Sequence, residues 1–141
     1  MSDKIYDGLS MEEMIAYMQS IGLRAELRAG ADNIVFSSAA GWRFAVYMLT
    51  PAADGRFTSV QFYASHNDRN FTAEDANDWN NQKRFTKARS DREGYPVVVC
   101  DAFVNGVTDG YLRGLFTMWE VLMARFMESI GKPGGKIFVR A

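Results

Sequence analysis

The sequence predicts an α+β fold of one domain: a twisted antiparallel β-sheet, helices packed on one of its faces, and a long C-terminal helix. Three observations carry that expectation. Apolar residues recur at helical spacing from Met11 to Ile21, and the period shortens to two between Leu23 and His66. The last third of the chain then holds one continuous apolar helical stripe, from Leu112 to Ile130, of about five turns.

Residues 1–9 read as a loose leader and residues 10–131 as the domain. Ser10 and Glu13 form a capping-box pair, in which a hydroxyl and a carboxylate each satisfy a free amide at a helix start. Met11, Met14, Ile15, Met18 and Ile21 supply the apolar face of that first helix, which Gly22 closes. Four strand-like runs follow: Arg24–Arg28, Asn33–Ser38, Trp42–Thr50 and Thr58–Ser65, separated by turn residues as in a meander of hairpins. Thr72 and Asp75 repeat the capping pattern before a polar helix over Ala73–Gln82, for which Trp79 is the anchor. Arg84–Ser90 and Tyr95–Val104 read as a strand pair turning at Asp91–Gly94.

Thr108 is placed to cap the last helix, with Asp109 at the positive end of its dipole. On a helical projection Leu112, Leu115, Phe116, Trp119, Met123 and Phe126 share one face. Tyr111 and Met118 lie at its margin, and Val121 lies beyond it among polar residues. Gly131 stops the helix, and residues 132–141 read as a flexible tail.

Composition narrows the function classes. The 141 residues carry 16 basic and 17 acidic side chains, a net charge of −1, which gives nucleic acid no electrostatic footing as a partner. A single cysteine allows no internal disulfide and fits a reducing compartment. The N-terminal residues lack the apolar core of a secretory signal, and no run approaches a membrane span, so a cytoplasmic protein without membrane contact is expected.

The search for chemistry leaves no catalytic set. Cys100 lies in an apolar strand and reads as core; His66, the sole imidazole, has no companion ligands, so neither a metal nor a cofactor is expected. The paired carboxylates fall in first turns of helices or in a turn. Asp101 interrupts the apolar run of Val97–Cys100, which points to a buried carboxylate held by Arg84 or Lys87 across the strand pair; these three form a candidate polar site. The basic cluster from Lys83 to Arg92 reads as a solvated sheet edge.

Four pieces of the C-terminal half are similar to a known family: Trp79-Asn80 before Lys83-Arg84-Phe85, the alternating stretch to Asp91, the Val97–Asp101 strand, and Gly106-Val107-Thr108 opening the helix. They resemble the YbjN family of small bacterial proteins, labelled sensory transduction regulators. The resemblance implies a fold like that of the type III secretion chaperones and a non-enzymatic, chaperone-like or regulatory adaptor role. By the same analogy a homodimer is an expected assembly. The expected binding mode is a client segment, extended or amphipathic, against the sheet edge and the helix margin at Tyr111, Met118 and Val121. The alternative is a small-molecule-sensing domain whose pocket, between sheet and helix, is lined by Trp42, Phe44, Tyr47, Phe62 and Tyr63.

Overall fold

The computed structural model describes residues 4–68 and 70–130. Its elements in chain order are β1 (Ile5–Asp7), α1 (Met11–Ser20), β2 (Ile34–Ala39), β3 (Trp42–Pro51), β4 (Phe57–Ser65), α2 (Ala73–Gln82), β5 (Lys87–Ser90), β6 (Pro96–Phe103), β7 (Asn105–Thr108) and α3 (Asp109–Ser129). Strands β2-β3-β4-β6-β5 form an antiparallel sheet in that order, and β1 pairs with β7 in a separate two-stranded ribbon. This is the expected α+β architecture with its long C-terminal helix.

All three expected caps form. Ser10 and Glu13 exchange hydrogen bonds with each other's backbone amides, and so do Thr72 and Asp75. The Thr108 hydroxyl accepts from the Tyr111 amide. Glu13 also faces Arg56, whose Nε and Nη2 donate to its two oxygens at 2.9 and 3.0 Å. That contact, chiefly, lowers the Glu13 carboxyl to about 2.

The period-two alternation divides the sheet into two faces. Val35, Phe44, Val46, Met48, Val60, Phe62, Val98 and Cys100 point towards α1 and α3 and are buried. Their partners on α3 are aromatic: Phe62 stacks on Trp119 at 5.4 Å and meets Phe116 edge-on at 5.0 Å, while Phe44 meets Trp119 at 6.0 Å. The opposite face carries Tyr47 and Tyr63, edge to face at 5.5 Å, with Lys87 and Arg89 paired against Val99 and Val97. Long polar side chains thus cover that face with their apolar stems.

Several expectations are corrected. From Ile5 onward the leader belongs to the fold: β1 pairs with β7, and Leu9 is fully buried and bridged to Phe57. Gly8 makes this possible, because a Cβ there would stand 2.9 Å from the Phe57 carbonyl oxygen. Gly106-Val107-Thr108 is accordingly a strand as well as a corner. Of Arg24–Arg28 only Glu26 pairs, with Phe36 of β2. The strand expected from Arg84 starts at Lys87, because Phe85 takes a left-handed φ of 73° that breaks the extended run. The helix stop at Gly131 and the tail over residues 132–141 lie outside the described residues.

Candidate functional site

Each edge strand of the large sheet is engaged at one residue. On β5 the Ala88 amide donates to Asn80 Oδ1 at 2.7 Å, and Asn80 Nδ2 donates to the Ala88 carbonyl at 3.0 Å. The side chain of α2 thereby takes up the backbone pair that an added strand would use. On β2, Phe36 exchanges both backbone hydrogen bonds with Glu26. One residue earlier on α2, the buried Trp79 donates its indole N–H to Thr86 Oγ1 at 3.1 Å and packs edge-on against Phe126 at 5.1 Å. Trp79-Asn80 is therefore a latch that pins α2 to both the core and β5.

That latch shapes a largely apolar surface feature. Between the end of α2 and the exposed flank of α3 runs an open groove of about 830 Å³. Phe85, Met118, Val121 and Leu122 provide its apolar lining, and Lys83, Arg84, Arg113 and Arg125 its charge. Phe85 is 65% exposed and Val121 45%, whereas Met118 is half-buried. The left-handed backbone at Phe85, unusual for a bulky residue, turns the chain out of strand geometry beside the groove. The Arg84 guanidinium lies 5.0 Å from the centre of the Phe85 ring.

Of the expected partner surface, Met118 and Val121 line this groove. Tyr111, half exposed, sits two turns N-terminal to Met118 on the same flank of α3, beyond the groove. Phe85 is the residue the sequence reading missed. Its signal was an apolar ring set in a basic run, after Lys83-Arg84 and just past a polar helix.

The polar site of Arg84, Lys87 and Asp101 does not assemble. Asp101 is exposed and accepts from Gln61 Nε2 at 2.9 Å, directly across on β4. Since β5 begins at Lys87, opposite Val99, nothing in β5 stands opposite Asp101. Arg84 belongs to the groove instead. Among the described residues neither Arg84 nor Lys87 makes an ion pair.

The aromatic pocket also dissolves. Phe44 and Phe62 fill the helix side of the sheet, Tyr47 and Tyr63 lie on the other side, and Trp42 stacks beside His66 at 5.6 Å. The five do not line one cavity between sheet and helix: Phe44, Tyr47 and Tyr63 border a shallow pocket of about 300 Å³ with Arg28, Phe36 and Arg43, and Trp42 and Phe62 take no part in it.

Cys100 is buried, and burial pushes its thiol up to about 11, with Asp101 adding to the effect. Such a thiol stays protonated at neutral pH and is a poor nucleophile. His66 is placed at the end of β4, level with Pro96, four residues and about 13 Å along β6 from Cys100. Its Nδ1 accepts from the Asp68 amide. The described residues contain no group of three or more His, Cys, Asp or Glu able to hold a metal ion. No helix among them is long and apolar enough to cross a membrane.

Comparison with known proteins agrees with the motifs of the C-terminal half. The YbjN family model, described as "Putative bacterial sensory transduction regulator", matches residues 10–132. No curated protein and no solved structure matches the chain. The chain belongs to the YbjN family.

Proposed function

We propose that this YbjN-family chain is a non-enzymatic regulatory adaptor that works by holding a segment of another protein on the flank of α3. The family's description supports a regulatory role. The observation that carries the binding reading is the convergence of Phe85, Met118 and Val121 in one open groove. Solvent-facing apolar side chains gathered beside a buried scaffold are characteristic of contact surfaces. The scaffold is rigid where it matters, since α3 is anchored through Trp119 and Phe126, and α2 through Trp79.

The surface is tested with a Met118→Asp plus Val121→Asp variant. Native and variant proteins are used to capture partners from bacterial lysate, and both are weighed by light scattering. Specific partners retained by the native protein and lost by the folded variant are expected. Identical partners and identical mass in both samples would remove the proposal.

A further inference from the structure

We propose that the groove on α3 receives an acidic amphipathic helix from a partner protein. This rests on the protein-binding reading above and specifies the chemistry of the occupant. The chain as a whole is balanced, at 16 basic and 17 acidic residues, yet the groove is not. Lys83, Arg84, Arg113 and Arg125 line it, no Asp or Glu does, and none of the four cations is ion-paired among the described residues. Cations flanking an apolar strip match a segment with an apolar stripe bordered by carboxylates.

Shape favours a helical segment. The α3 wall runs from Gly110 to Arg125, a length of about 22 Å, or four turns of a partner helix. At Gly114 an added Cβ would meet nothing within 4 Å, so that part of the wall is open. A strand-like ligand would need a free ladder, but Asn80 holds the backbone of β5 at Ala88, and Glu26 holds that of β2 at Phe36.

Charge also decides against two occupants from the chain itself. Residues 132–141 carry Lys132, Lys136 and Arg140 and no Asp or Glu, so they have the same sign as the groove. A second copy docking its own α3 antiparallel about the level of Trp119 would set Arg113 opposite Arg125 of that copy. Like charges facing each other in this way oppose the pairing.

The test is a displayed library of 18-residue helices. The apolar stripe is drawn from Leu, Ile, Met and Phe, and each flanking position is either Glu or Lys. Selection on the native protein is expected to enrich Glu at the flanks. The leading peptide is expected to bind at least tenfold tighter than its Lys counterpart, to weaken with salt, and to shift amide resonances of residues 82–85 and 110–125. Arg113→Glu plus Arg125→Glu, with an unchanged melting temperature, is expected to reverse the preference towards Lys.

Enrichment indifferent to charge, enrichment of Lys, or none above the starting library would overturn the proposal. So would Arg113- and Arg125-dependent binding of a single-stranded oligonucleotide or an anionic vesicle tighter than that of the peptide. A native dimer converted to monomer by Met118→Asp plus Val121→Asp would assign the groove to a second copy and overturn it too. If the library fails while that variant still loses its partners, the acidic chemistry falls and the adaptor reading stands.

Discussion

The two walls of the groove are held in place by different physics. Helix α3 buries eight of its twenty-one residues, among them Trp119, Phe116, Phe126 and three other large apolar side chains that are almost or completely inaccessible. Helix α2 buries three of ten, Asp75, Ala76 and Trp79, and is otherwise polar. It is fixed by directed hydrogen bonds: the Thr72–Asp75 capping box, Trp79 to Thr86, and Asn80 to both backbone groups of Ala88. One wall is held by buried area and the other by polar pins. Area is lost in proportion to the atoms removed, whereas a pin fails with one substitution and leaves its partners unsatisfied.

The largest expected effect is on the area-held wall. Trp119→Ala should destabilise the protein by about 3–5 kcal/mol, measured by urea unfolding, because it empties the site against Phe44 and Phe62. A loss under about 1 kcal/mol would show that α3 is not the structural centre.

Asn80→Ala should cost less, about 1–3 kcal/mol, by unpairing two backbone groups of β5. Its distinguishing mark is a freed edge: hydrogen exchange should rise at Ala88, and self-association should increase with concentration. Unchanged exchange at Ala88 would mean that the pin is incidental.

Tyr17→Phe tests the core from the polar side. The Tyr17 hydroxyl is buried with no hydrogen-bond partner among the described residues, and burial raises its pKa to about 12. Removing it should leave stability unchanged or raise it by about 1 kcal/mol. A marked loss would reveal a partner for that oxygen.

Acid provides a smaller effect, separate from both walls. Glu13, held near 2 by Arg56, contributes stability that is fully present above its ordinary value of 4.5 and is lost as pH falls towards 2. Glu13→Gln should flatten the stability profile in that window, while Val121→Ser, which adds no titrating group, should leave its shape there intact. The smallest effect belongs to the exposed flank: Val121→Ser should change stability by less than about 0.5 kcal/mol while weakening partner capture.

Local chemistry explains which parts were legible in the sequence. Helix caps are written within four residues, so all three helix starts were readable, from the capping boxes at Ser10 and Thr72 and the single N-cap at Thr108. The two walls differ here as well. The stripe of α3 announces its buried and exposed sides, including Met118 and Val121, through helical period alone. The geometry of Phe85 depends on how α2 is pinned to β5, which no local pattern records.

Asp101 misled because it interrupts an apolar run. Yet it shares strand parity with Val97 and Val99, opposite Val98 and Cys100, and so falls on the face away from the helices. The same parity separates Tyr47 and Tyr63 from Phe44 and Phe62. Strand β1 was illegible for another reason: three residues make a strand only through their partner, and that partner is β7.

The β1–β7 ribbon also bears on biosynthesis. Ile5 pairs with Thr108, the Asp109 amide donates to the Lys4 carbonyl, and the Tyr6 hydroxyl donates to Asp109 across 103 positions of sequence. The residues of β1 therefore wait for a partner synthesised about a hundred positions later before they can settle. Such long-range closure slows folding, and it makes completion of β7 the event that secures β1. A stalled or truncated chain ending before residue 105 would expose Leu9 and the helix-facing side of the sheet together, and so present quality-control proteases with an unmistakable substrate.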